Sequence, residues 1–197
     1  MRRRGATLLA MATLSLAGCG DTPFASILLG GQPAMQPGPA APQGPVLRVT
    51  GARRPFVFTL AQETGDRRLW RAEGGAALAT EGPRIVAVAG LGPGLSAMRA
   101  EDADPLADPR ALVGRQVAMR RSLDLRGDGE DAEGLRFGVA VSCTLSAVAE
   151  GGWIVVTESC TGPDLAFENR FDAEATTGRV RRSRQWVGDS VLVVEGP

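Results

Sequence analysis

The chain contains no histidine, no lysine and no tyrosine, so all 22 of its basic residues are arginine. Without histidine, the chain cannot supply a Ser-His-Asp or Cys-His catalytic arrangement or a histidine-ligated metal centre. Without lysine it cannot form a Schiff base. Carboxylate pairs such as those of glycosidases remain available, but 22 acidic residues are too many for their presence to indicate a site. We therefore expect neither a cofactor nor a metal.

The N-terminus carries charge of one sign only. Arg2, Arg3 and Arg4 precede the apolar stretch Ala6–Leu16, and small residues follow. This pattern predicts a secretory signal peptide over residues 1–18. A permanent transmembrane helix is the less favoured alternative, because spanning a bilayer takes roughly 20 apolar residues.

The signal peptide ends in Leu16-Ala17-Gly18-Cys19. This tetrapeptide resembles the lipobox of bacterial lipoproteins, which implies cleavage before Cys19 and attachment of lipid to that residue, including palmitate. In the sorting rule known for such lipoproteins, an aspartate directly after the cysteine retains the protein in the inner membrane, and this chain has Gly20 there. The resemblance therefore predicts a lipid anchor in the outer membrane, on its periplasmic face.

The remainder of the chain divides into a linker and one domain. The segment Gly30–Pro45 is rich in Pro, Gly and Ala, so we predict a flexible, lipidated N-terminal region over 19–45 and a single folded domain over 46–197, long enough for a hydrophobic core. Removing three arginines with the signal peptide leaves 19 arginines against 22 acidic residues. This balance gives no general attraction to nucleic acid.

Short apolar runs separated by turn residues predict strands. In the first half these runs are Val46–Thr50, Pro55–Leu60, Arg68–Arg71, Ala76–Thr80 and Arg84–Ala89. The acid- and proline-containing stretch near 95–112 predicts a short helical or irregular connection. In the last 60 residues, alternation of apolar and polar residues predicts a meander of about five strands. The expected fold is mainly β, an antiparallel meander that forms an open barrel or a sandwich.

Two cysteines remain after lipidation, Cys143 and Cys160. They fall on consecutive predicted strands in an oxidising compartment, so we predict a disulfide between them, which would stabilise the domain by about 3 kcal/mol. The alternative is a pair of buried free thiols.

An arginine-rich strand near the C-terminus is a candidate ligand-binding surface. Strand alternation places Arg182 and Arg184 on the same face as Trp186. Two guanidinium groups beside an indole can bind an anionic or sugar ligand. We favour the alternative of a solvated strand whose arginines pair with acids across the sheet.

Several strings of residues resemble the YjbF family of lipoproteins, which includes the group 4 capsule lipoproteins. They include Leu165–Phe171, Cys143–Leu145 and Gly178–Gly188, and the most specific is Arg182–Gly188, which reads RSRQWVG. The resemblance implies a mainly β lipoprotein that assists the production or export of surface polysaccharide as a non-catalytic accessory. Its expected partners are a membrane, through the lipid anchor, and export proteins or the polysaccharide itself.

Two other functions remain open. A lipid or lipoprotein carrier built as a half-open β-barrel would need an apolar concavity, lined by Trp70, Trp153 or Trp186. A polysaccharide hydrolase would need two carboxylates facing each other about 5 to 10 Å apart across a groove.

Overall fold

The computed structural model describes residues 44–52, 54–92, 94–127 and 134–196. The predicted signal peptide, the lipidation site Cys19 and the linker up to residue 43 lie outside these residues. The described residues belong to one compact unit, Ala41–Pro197. In them, no helix is both long enough and apolar enough to cross a membrane.

Twelve antiparallel strands make up the described part of the chain. They are β1 Val46–Thr50, β2 Phe56–Thr64, β3 Arg67–Arg71, β4 Ala77–Glu81, β5 Arg84–Ala89, β6 Gly94–Ala100, β7 Gln116–Arg126, β8 Leu135–Glu150, β9 Trp153–Gly162, β10 Leu165–Glu174, β11 Val180–Trp186 and β12 Val191–Glu195. Two short 3₁₀ helices, Pro105–Ala107 and Pro109–Leu112, lie between β6 and β7.

Tight turns connect most neighbours in the sheet. Between β8 and β9, Gly151 and Gly152 both have positive φ, at 56° and 84°. A two-residue hairpin turn with two positive φ angles matches the twist of the strands that flank it, and glycine adopts this conformation without strain. The turn fixes the register that places Cys143 opposite Cys160.

All strands form one sheet in the order β5-β4-β3-β2-β1-β12-β11-β10-β9-β8-β7-β6. Strands that are neighbours in the sheet are consecutive in the chain, with one exception. Strand β1 pairs with β12, and Arg48 lies opposite Glu195. The sheet curls until its end strands, β5 and β6, come close to each other, which gives a nearly closed barrel with one unsealed seam. The prediction of a mainly β antiparallel meander is therefore confirmed, and the barrel is the form it takes.

The predicted connection near 95–112 is only partly irregular. Its first residues belong to β6, and the helical part is confined to 105–112. A register shift between Leu95 and Ala97 breaks the two-residue alternation of β6, which is why the sequence pattern does not indicate a strand. Strand β7 also lacks a simple pattern, because its inward face includes the charged residue Arg121 and a register shift interrupts it between Leu123 and Leu125.

Side chains inside the barrel form two apolar clusters. The larger cluster includes Phe58, Trp70 and Leu192, and the smaller one, which the 3₁₀ helices cover with Leu106 and Leu112, includes Phe171. Because all twelve strands and both clusters lie within Ala41–Pro197, this unit has the core it needs to fold without the preceding residues.

Candidate functional site

A cleft of about 730 Å³ opens at the seam of the barrel. At one end of the seam β6 contacts the turn after β11: Leu95 N–H donates to the Val187 carbonyl at 2.8 Å, and a Cβ on Gly188 would lie 2.5 Å from Cα of Gly94. At the other end the cleft takes the space between β5 and β6 and is lined by Arg84 of β5 and Met98 of β6. A cleft of this size falls in the range typical of small-molecule sites.

The deep wall of the cleft is mainly apolar. Six side chains of the interior contribute to it, each no more than 8% exposed: Leu47, Trp70, Val86, Met98, Leu106 and Val194. The polar atoms on this wall already have partners within the protein. Trp70 Nε1 donates to Thr80 Oγ1 at 3.0 Å, and Ser183 Oγ accepts from Gln185 Nε2 at 2.9 Å.

Exposed arginines surround the mouth of the cleft. They are Arg67, Arg68, Arg99, Arg179, Arg181 and Arg182. Five of them pair with carboxylates, four with partly or fully exposed ones, such as Arg67 with Glu81 at 3.0 Å and Arg181 with Glu174 at 2.8 Å, and Arg99 with the mostly buried Asp124. Such exposed pairs contribute little to stability, so their arginines can exchange partners readily. Within the described residues Arg179 makes no ion pair.

Arg84 forms the polar floor of the cleft and is 2% exposed. Its Nη1 donates to Glu158 Oε2 at 3.0 Å, and its Nη2 donates to Asp104 Oδ1 at 3.0 Å. The guanidinium also lies over the ring of Phe171, 5.3 Å from its centroid. Asp104 in turn accepts from the backbone N–H of Leu106 at 2.9 Å, so Arg84 ties the first 3₁₀ helix to the end strand β5.

A buried ion network continues behind Arg84. Glu158 Oε2 lies 2.7 Å from Arg121 Nη2 and accepts from Asn169 Nδ2 at 2.8 Å. Glu158 Oε1 lies 2.9 Å from Arg84 Nη2, outside hydrogen-bond geometry. The two guanidinium groups and the carboxylates of Glu158 and Asp104 balance in charge.

This network separates the two apolar clusters. Along β9 the inward side chains are Val156 of the smaller cluster, then Glu158, then Cys160 of the larger one. Along β7, Arg121 likewise lies between Met119 and Leu123. The charged residues thus form one polar layer across the interior of the barrel.

The electrostatics of the layer keep Glu158 ionised. Burial alone raises the pKa of Glu158, but the charges of Arg84 and Arg121 outweigh burial and hold this pKa below its ordinary value. For Arg84, burial is likewise outweighed by Glu158 and Asp104, and its pKa is raised. Burial and the charge of Arg84 lower the pKa of Arg121. A carboxyl group with a lowered pKa is no proton donor at neutral pH.

Gln185 protects the free edge of β5 from the inside. Its Oε1 accepts from the backbone N–H of Ile85 at 2.9 Å, and its Nε2 donates to the Pro83 carbonyl at 2.9 Å. An end strand has backbone groups without a neighbouring strand. A side chain of β11 thus satisfies one such group of β5 and also the carbonyl of Pro83, just before the strand.

Cys143 and Cys160 lie directly opposite each other on β8 and β9, and the structure has them joined as a disulfide. Arg121 Nη2 lies 2.9 Å from one sulfur and 3.0 Å from the other. These cysteines and Glu158 form a cluster of metal-ligand types. Sulfurs that are bonded to each other do not act as thiolate ligands, so the cluster is no metal site in the disulfide form.

The three candidate residues of the arginine strand, Arg182, Arg184 and Trp186, differ in their surroundings. Arg182 and Arg184 are exposed on the outer face, and Arg182 lies 3.5 Å from Glu195. Trp186 is half-buried, and its ring stacks on Phe167 with centroids 4.3 Å apart. Among the described residues, arginine lies over aromatic rings at Phe56 and Phe171 and not at Trp186. Ligand binding by Arg182, Arg184 and Trp186 remains a prediction.

Of the three tryptophans named for a carrier, Trp70 lines the cleft, whereas Trp153 lies on the exposed outer face. The residues that sequence reasoning missed are the buried ones, Arg84, Arg121 and Glu158. A signal for two of them was present, because Arg121 and Glu158 share the inward alternation of their apolar neighbours.

The fold and the cleft define a class of protein: a single-domain antiparallel β-barrel with a ligand-sized cleft at its seam and its interior carboxylates held by arginine. Within this class, residues 43–195 match the family described as "Group 4 capsule polysaccharide lipoprotein gfcB, YjbF", and the chain belongs to that family. The resemblance drawn from the sequence is thereby confirmed.

A solved structure supports the fold. The crystal structure of the hypothetical lipoprotein YmcC from Escherichia coli (K12) is similar to this chain with a TM-score of 0.67 and 20% sequence identity, over 88% of this chain and 94% of that one. No curated protein sequence matches the chain.

Proposed function

We propose that the protein is an outer-membrane lipoprotein that faces the periplasm and acts as a non-catalytic accessory in the production and export of capsule or exopolysaccharide. The observation that carries the proposal is the family match, which extends over residues 43–195 and so includes every strand from β1 to β12. The family's name links it to capsule polysaccharide and to lipoproteins.

The chemistry of the cleft supports a binding role over hydrolysis. A glycosidase needs one carboxyl group that stays protonated near neutral pH and a second that stays ionised. Of the carboxylates that line the cleft, Asp104 pairs with Arg84 and Glu81 pairs with Arg67. The pKa of Glu158, which is buried behind Arg84, is lowered. These carboxylates are arranged as ion-pair partners.

Deletion of the gene tests the proposal. We expect surface and released polysaccharide to decrease while the pools of precursor sugars stay unchanged, and the wild-type gene to restore the polymer. Unchanged polysaccharide in a deletion strain that has no paralogue would contradict the proposal. Cleavage of the polymer by the purified protein would favour the hydrolase instead.

Two variant genes, each expressed in the deletion strain, test the membrane anchor and the arginine strand separately. A Cys19→Ser gene should fail to restore polysaccharide if lipid attachment is needed, and full restoration would refute the membrane part of the proposal. An Arg182→Ala, Arg184→Ala double variant should retain most activity, because both side chains are solvated and Arg182 already has an acidic neighbour. Loss of salt-sensitive binding to an anionic polymer in this variant would instead support a polysaccharide site on the outer face.

A further inference from the structure

The seam of the barrel gives the interior an entrance. At Gly94, β6 touches Gly188 of the turn after β11, and a Cβ there would lie 3.4 Å from Val88 Cγ2 of β5. The cleft is lined by other residues of the two end strands, including Val86 of β5 and Met98 of β6. Beyond the mouth, the cleft reaches side chains that belong to the larger apolar cluster, including Leu47, Trp70 and Val194. A ligand in the cleft would therefore contact the core of the protein.

The deep wall fits an apolar chain better than a sugar. A sugar needs hydrogen-bond partners for its hydroxyl groups, and binding sites supply these as a few convergent polar atoms. Here Trp70 Nε1, Ser183 Oγ and the Arg84 guanidinium already bond to Thr80, Gln185 and the buried carboxylates. Alkyl groups need no such partners and gain free energy from leaving water.

The mouth of the cleft fits a negative charge. Its six exposed arginines include Arg179, which makes no ion pair within the described residues, and Arg99, whose side chain is 65% exposed. Guanidinium groups present paired donors that match a carboxylate or a phosphate. The partners that the other arginines now have at the surface are weakly held.

We propose that the cleft binds an amphiphile, with its apolar chain against the wall formed by Leu47, Trp70, Val86, Met98 and Val194 and its anionic head group at the arginine mouth. This inference goes beyond the proposed function, because polysaccharide export by a lipoprotein does not in itself require such a ligand. The head group is a carboxylate or a phosphate, and the two are distinguished by the competitors used below.

The binding experiment uses the unit Ala41–Pro197, purified without detergent, and 11-(dansylamino)undecanoic acid as the fluorescent probe. We expect the probe's emission to increase on binding, and palmitate or hexadecyl phosphate to displace it. The stronger of these two competitors identifies the preferred head group. Hexadecanol, which has the chain without the charge, should compete at least fivefold more weakly, and oligogalacturonate, which has charge without the chain, should not compete. Each methylene that is removed from the competitor's chain, and that would contact the apolar wall, should weaken the competitor's affinity by about fourfold.

Two pairs of variants locate the site. Ala103 is an exposed residue of the cleft, so Ala103→Trp should block entry and weaken probe binding at least tenfold, whereas Ala118→Trp, at an exposed position of β7 outside the cleft, should have no effect. Arg179→Gln should weaken binding two- to fivefold, and Arg115→Gln, at an exposed position outside the cleft, should not. Matching urea midpoints would show that the variants are folded.

Absence of probe binding, or equal binding by Ala103→Trp and Ala118→Trp, would overturn the inference. So would displacement of the probe by oligogalacturonate in preference to palmitate and hexadecyl phosphate, which would assign the cleft to a sugar. None of these results bears on the deletion phenotype, so failure of this inference and failure of the proposed function are distinguishable.

Discussion

Removal of the Glu158 charge should cost more stability than any surface change in this protein. Glu158 is fully buried and contacts Arg84, Arg121 and Asn169. In Glu158→Gln, Arg84 keeps Asp104, but Arg121 loses the one carboxylate it contacts within the described residues. Breaking a buried ion pair by removing one partner costs about 3–5 kcal/mol, because a buried charge is left uncompensated. We expect a loss of that size in the free energy of unfolding.

Urea unfolding, followed by tryptophan fluorescence, measures this loss. Two matched variants serve as references for the size of this loss. Asp104→Asn should cost less than Glu158→Gln, because Asp104 is 26% exposed and Arg84 keeps Glu158. Glu81→Gln removes an exposed partner of Arg67 and should cost at most about 1 kcal/mol.

A double variant tests the reasoning itself. In the double variant Arg121→Met, Glu158→Leu, the remaining pair of Arg84 and Asp104 is neutral. Replacing a buried ion pair by apolar side chains often leaves the stability unchanged or increases it. We therefore expect the double variant to be more stable than Glu158→Gln. The reasoning fails if Glu158→Gln costs no more than Glu81→Gln, or if the double variant is the least stable of the series.

Three further predictions concern pH, oxidation and lipid. Because the folded-state pKa of Glu158 is lowered, its contribution to stability is present above the ordinary glutamate pKa of about 4.3 and is lost as pH falls through the folded pKa. The difference in unfolding free energy between wild type and Glu158→Gln should thus be constant from pH 7 to about pH 5 and shrink below pH 4. A difference that grows on acidification would contradict a lowered pKa of Glu158 in the folded state. Alkylation without reductant, followed by mass spectrometry, should find Cys143 and Cys160 unmodified, and recovery of both cysteines alkylated would rule out the disulfide. Because the disulfide closes a loop of this length, Cys143→Ala should lower the unfolding free energy by about 3 kcal/mol. Labelled palmitate should enter the wild-type chain and not Cys19→Ser, and equal labelling would remove the case for the lipobox.

Alternation predicts those parts of the fold in which one face of a strand is apolar. Strands β1 and β5 have the bounds that the sequence predicts, Val46–Thr50 and Arg84–Ala89. Prediction fails at β6, where a register shift interrupts the alternation, and at β7, where the inward Arg121 and a second register shift mask it. Both failures have a local cause, and they did not affect the fold class.

The candidate site was less predictable than the fold. The wall of the cleft joins residues of β1, β3, β5, β6 and β12, which the sequence separates widely and only the sheet order brings together. Arg182 was predicted as a candidate and does lie at the mouth, but Trp186 faces Phe167 instead. The partners of the buried arginines could not be assigned, because the carboxylates that stabilise them lie on other strands and in the connection after β6.

The pairing of β1 with β12 has a consequence for how the molecule forms. Every other pair of neighbouring strands is local, so the segments β1–β5 and β6–β12 can each assemble as a series of hairpins. Among the strand pairs of the described residues, only β1 with β12 joins the two halves, with Arg48 opposite Glu195. The sheet is therefore complete only once the final residues are available, and until then each half of the barrel has an unpaired strand edge at β1 or at β11.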